Sequence, residues 1–158
     1  MAIALRTISI NAAFLQEIKE DHHELRQLMH HISVMFDHAG PVEFEYARMV
    51  EILAKLRDQL ALHFSLEQAF GYFDDAISVA PHLSRRAEQL RAEHDTLFSE
   101  LGRVVEAAEK LLYHEMPSAE LARVAANYRA FDQHFHDHEA RESELILAAF
   151  DDDLNGGD

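Results

Sequence analysis

Apolar residues recur at steps of three and four along four stretches of the chain, the spacing of helices that each bury one face. The first stripe is Phe14, Leu15, Ile18, His22, Leu25, Met29, Ile32 and Phe36, after a candidate N-cap at Asn11 and before the break at Gly40-Pro41. The second is Met49, Ile52, Leu53, Leu56, Leu60, His63, Glu67 and Phe70. Beyond Pro81 the third runs through Leu83, Ala87, Leu90, His94, Leu97, Leu101, Val105, Ala108 and Leu112. Pro117-Ser118 opens the fourth, through Leu121, Val124, Tyr128, Phe131, Phe135, His138, Glu142, Leu145 and Ala149. The pattern predicts helices over about 11–38, 43–73, 82–114 and 118–150. Four helices of similar length on short connections predict an all-α, up-down-up-down antiparallel four-helix bundle. Residues 1–10 read as an N-terminal extension, and 151–158, DDDLNGGD, as an acidic disordered tail.

Each stripe carries a polar intruder. A carboxylate at a core position is costly unless it is paired or binds a metal, and His63 and Glu67, like His138 and Glu142, stand four residues apart on one helix face. His22 and His94 occupy equivalent positions on the other two stripes. His23 shares its side with Lys19, Glu20, Arg26 and Gln27, a solvated face, so phase selects His22 over its neighbour.

Helices joined by a short connection place residues at one height when those residues are equally far from it, at about 1.5 Å per residue. From the 40–42 connection His22 is about 18 residues back and His63 about 20 forward; from 115–117, His94 and His138 are each about 20 away. Across the middle connection, His63 lies about 10 residues before the end of its helix and His94 about 12 after the start of the next. All four histidines therefore fall in one layer.

Composition narrows the chemistry. A formal net charge of −15 argues against nucleic acid and against anionic membranes as partners. The chain has no cysteine, which excludes thiolate ligands, disulfides and thiol catalysis. No stretch has the length of apolar residues needed to span a bilayer, and the N-terminus lacks the pattern of a signal peptide, so a cytoplasmic protein is expected. Imidazole with carboxylate and no thiolate suits iron, manganese or zinc, zinc preferring a closed tetrahedron. Four histidines and two glutamates divide between two metals with bridging carboxylates, and an oxo or hydroxo bridge would still leave about one position open on each of two six-coordinate irons.

The series His22, His63-x-x-x-Glu67, His94, His138-x-x-x-Glu142, one contribution per helix, resembles the hemerythrin-like, or HHE cation-binding, family. The resemblance implies a four-helix bundle with a non-haem di-iron centre ligated by those six residues, Glu67 and Glu142 bridging. It implies binding or redox chemistry of a small diatomic or a peroxide (O2, NO, H2O2), in a monomer or homodimer. The chain departs from oxygen-carrying hemerythrins at Phe98, where they have a further histidine, and in having His-x-x-x-Glu rather than His-x-x-x-x-Asp in the fourth helix. It is closer to the branch containing iron-centre repair proteins and the iron-sensing domain of a ubiquitin-ligase subunit. The cysteine-bearing domain of the former and the ligase module of the latter have no counterpart in this sequence. An iron-binding, sensing or delivery module acting through a partner protein is therefore the second reading.

The other chemistry-bearing residues have plainer readings. His134 is expected as a partly exposed spectator, with a role beside the metal as the competing view, and His30, His31, His38 and His136 as surface residues. Tyr128 is expected as a core tyrosine with an ordinary hydrogen bond rather than a proton or electron shuttle. Phe64, Phe73 and Phe135 are candidates for a dimer patch. Asp21-His22-His23 spells a phosphoesterase motif without its α/β context. His94-Asp95 and His136-Asp137 spell that of helical HD phosphohydrolases, but core phase selects only the first histidine. Glu20-x-x-His23 has ferritin-like spacing but occurs once, on an outward face. A metal-free structural bundle is the remaining alternative.

Overall fold

The computed structural model describes residues 22–38, 45–69, 78, 80–114 and 118–156. Among them are four helices and no strand: α1 over 22–37, α2 over Tyr46–Ala69, α3 over Ser84–His114 and α4 over Ser118–Gly156. A single 3-10 turn, Pro81–Leu83, leads into α3, with the proline in its first turn where a missing N–H costs nothing. The expected cap at Asn11, the break at Gly40-Pro41, and Phe70 and Phe73 lie outside the described residues. No described helix is long and apolar enough to cross a membrane.

The helices form a bundle in which α3 packs against both α2 and α4. Bonds from α4 tie down α1: the Tyr128 hydroxyl donates to the Met29 carbonyl at 2.9 Å, and Arg129 to Asp37 at 3.0 Å. Residue numbers fall along α4 as they rise along its neighbours. His22 meets Glu139 and Met29 meets Tyr128 on one side, while Glu93 meets Arg141 and Glu100 meets His134 on the other.

Phe14, Leu15 and Ile18 also lie outside the described residues; within these, the predicted stripes are the buried faces, with His22 and Leu112 only partly buried. Leu25, Met29, Ile32 and Phe36 of α1 join Met49 to Phe64 of α2, Leu97 to Leu111 of α3 and Leu121 to Phe135 of α4 in one large apolar cluster. A smaller cluster of Ala80, Leu83, Ala87, Leu90, Leu145 and Ala149 closes the opposite end of α3 and α4. Between the two, on three of the helices, sits a layer of buried ionisable side chains.

The structure differs from the sequence reading at three places. Phe64 and Phe135, candidates for a dimer patch, are core residues: Phe135 lies on the fourth apolar stripe itself, and Phe64 is buried because each buried face is wider than one line of residues. Leu111 rather than Leu112 is fully buried near the end of α3, a drift expected of a straight helix with 3.6 residues per turn. The fourth helix runs on to Gly156 instead of giving way to a disordered tail at 151. Nothing between Ser118 and Gly156 breaks a helix, and extending an existing helix needs no new nucleus.

Candidate metal centre

Helix α2 carries His63 and Glu67 one turn apart. Their near-alignment along the axis puts His63 Nε2 2.7 Å from Glu67 Oε1. Helix α4 repeats the device with His138 and Glu142, Nε2 to Oε1 2.6 Å. His94 of α3 lies between them, its Nε2 3.2 Å from Glu67 Oε2 and 3.1 Å from Glu142 Oε1. The His22 ring of α1 is 5.7 Å from that of His63. These contacts connect all six residues expected at the site, in the single layer that their distances from the connections predict.

Glu139 joins them, although sequence reasoning passed over it. It follows His138 directly, and its spacing of four from Phe135 and three from Glu142 was the available signal. Its Oε1 is 2.7 Å from His22 Nδ1. Six of these seven residues form two groups able to hold metal ions: His22, His63 and Glu139, and His94, His138 and Glu142, the potential ligand atoms within each group lying within 4.8 Å of one another. Glu67 reaches into both.

The donor atoms fit cations better than they fit each other. Among the described residues, the buried side-chain atoms that make no hydrogen bond are Glu67 Oε2, His138 Nε2 and both carboxylate oxygens of Glu139. All four belong to this layer and have neighbours at 3.2 Å or less for Glu67 Oε2, His138 Nε2 and Glu139 Oε1, yet at angles that form no hydrogen bond. Buried unpaired polar atoms each cost about 1–3 kcal/mol, more when charged. A cation set among them would use the same lone pairs.

Outer contacts aim the rings. Glu93 Oε2 accepts from His138 Nδ1–H at 2.7 Å, which leaves the Nε2 lone pair facing the group. Arg141 holds Glu93 from the solvent side. The Gln68 amide nitrogen lies 3.0 Å from His94 Nδ1 and donates to it when that nitrogen is unprotonated, while Nε2 faces Glu142 Oε1 at 3.1 Å. Phe64 stacks on the His94 ring at 4.0 Å and 6° between planes. Burial works against ionisation of Glu67, but pairing with His63 and then His94 overrules it and holds the carboxyl at about 2. Burial likewise opposes protonation of His94 and His138, yet the carboxylates beside them, Glu142 foremost, raise both.

The remaining histidines stand apart. His23 is exposed and bonded to Gln27 at 3.1 Å, in accord with the phase preference for His22. His134 is an exposed partner of Glu100 at 2.8 Å. His30, His31, His38 and His136 are exposed, as is Asp95, so the His94-Asp95 pair does not converge on one site. Tyr128 is buried and bonded to the Met29 carbonyl, the ordinary role expected of it. No known family, curated protein or solved structure matches the chain.

Proposed function

We propose that the four helices alternate in direction as an up-down-up-down bundle and that this layer holds two iron ions, at which a small diatomic molecule or a peroxide is bound or reduced. Opposed residue order along α1 and α4, and along α3 and α4, supports the topology. The observation that carries the metal reading is the set of four buried atoms without hydrogen bonds, gathered where two His/Glu groups meet. Imidazole and carboxylate with no thiolate match iron, with manganese or zinc as substitutes.

When bound, iron supplies electrons and open coordination positions for the small molecule. The chain's own residues do the rest. Glu67 spans the two groups and His63, His94 and His138 present ring nitrogens inward. Glu93 keeps the proton of His138 on the outer nitrogen. Two apolar clusters bound the layer on either side. Among the described residues, the buried polar side chains of the layer are histidines and glutamates, with no serine nucleophile beside them.

Elemental analysis and an ultraviolet–visible spectrum of aerobically purified protein test the reading. Two equivalents of iron and a near-ultraviolet charge-transfer band are expected, both lost in His63→Ala and His138→Ala. Full metal content in both variants overturns the ligand assignment. A second reading, an iron-sensing or delivery module acting through a partner, draws on the 26 % exposure of the His22 side chain, which opens one group toward the surface. Rapid peroxide consumption by the reduced protein favours the first reading; metal-dependent partner binding without turnover favours the second.

A further inference from the structure

The six residues legible in the sequence serve the two groups unequally. His94 and His138 have Glu142 for themselves and share Glu67. In the group of His22 and His63, the carboxylate of those six that makes contact is the shared Glu67, through His63. Glu139 restores the balance. Its side chain is nine-tenths buried, its Oε1 lies 2.7 Å from His22 Nδ1 and 4.0 Å from His63 Nε2, and neither carboxylate oxygen makes a hydrogen bond. The nearby guanidinium of Arg26 is 3.7 Å from Oε2 and belongs to a side chain 57 % exposed, too distant and too solvated to offset the burial of a full charge. Consecutive residues on a helix point about 100° apart. That angle lets α4 serve both groups at once, His138 facing one and Glu139 the other.

We propose that Glu139 is a seventh protein ligand of the metal centre, terminal to the ion held by His22 and His63. The inference rests on the metal-binding reading above. Each ion then receives two imidazoles, one carboxylate of its own and one oxygen of Glu67. Three carboxylates carry a charge of −3 against +4 for two ferrous ions, so Glu139 lowers the net charge of the buried layer from +2 to +1.

The test compares full-length wild type, Glu139→Gln and Arg26→Leu. Each is stripped with chelator, titrated anaerobically with ferrous iron and desalted, and its bound iron is counted; melting temperatures are measured on the stripped forms. Two equivalents are expected on wild type and on Arg26→Leu. Glu139→Gln keeps one equivalent at wild-type affinity and binds the second at least tenfold more weakly, while its stripped form melts no lower than stripped wild type, because an unbonded buried charge has been removed. Two equivalents at undiminished affinity in Glu139→Gln overturn the inference and leave the metal reading intact. Loss of the second equivalent together with a lower melting temperature assigns Glu139 to the fold and also overturns it. Fewer than two equivalents on wild type overturn the two-metal reading and this inference with it.

Discussion

The large apolar cluster and the ionisable layer occupy the same helices and are built on opposite terms. In the cluster, Leu25, Leu53, Leu101, Phe131 and Phe135 are fully enclosed, and the Tyr128 hydroxyl among them is satisfied by a main-chain carbonyl. In the layer, His63, Glu67, His94, His138, Glu139 and Glu142 are buried with four of their atoms unbonded. The first region stabilises the bundle by itself. The second, with those atoms unbonded, draws on that stability. A bundle of this kind can hold a site that is poor for folding because the packing that offsets it lies a few turns away on the same helices.

The sharpest way to break this comparison is to damage the cluster. Phe131→Ala is expected to cost about 3–5 kcal/mol in urea denaturation, and to cost the same with and without metal. A strongly metal-dependent cost would mean that the two regions are not separable. Chelation comes next. One ion at a hundred times its Kd adds about 2.7 kcal/mol, and two ions about twice that, so stripping should lower the unfolding midpoint of wild type by that order. No change on chelation would remove the metal from the stability of the fold.

Acid sharpens the contrast further. The raised histidines favour the stripped fold at pH below their ordinary value of 6.5, and that contribution is lost as pH rises through their folded values. Stripped protein should therefore gain stability as pH falls from alkaline toward neutral. Glu67, held at about 2, contributes above the ordinary carboxyl value of 4.5 and loses that contribution as pH falls through its folded value. Metal binding runs the other way, since each imidazole must shed its proton, and should weaken by about 1.4 kcal/mol per pH unit for each protonated ring. Unfolding curves for loaded and stripped protein should converge on acidification; parallel curves would count against imidazole ligation.

Two smaller changes mark the borders of the layer. Tyr128→Phe should cost about 1 kcal/mol, the worth of one buried hydrogen bond, and leave metal content unchanged. Altered redox behaviour would give that tyrosine a chemical role. His134→Ala, on an exposed side chain paired with Glu100, should shift stability by under about 0.5 kcal/mol and leave iron binding intact. A loss of iron there would extend the centre outward to the α3–α4 surface.

Periodicity alone placed His63, Glu67, His94, His138 and Glu142 on buried faces and preferred His22 to His23, because a helix repeats every 3.6 residues whatever surrounds it. Equal distances from the connections placed them at one height for the same reason. What periodicity does not contain is the width of each buried face. That width depends on how many neighbours a helix has and how closely they approach, and it brought Phe64 against the His94 ring and turned Glu139 inward beside His22. The division of the site into two groups joined by Glu67 likewise exists only once all four helices meet. One group draws on α1, α2 and α4, the other on α3 and α4, and Glu67 touches His63 of its own helix at 2.7 Å and His94 of α3 at 3.2 Å. Sequence determined which residues are available at the centre; packing decided how many of them face it and in what pairs.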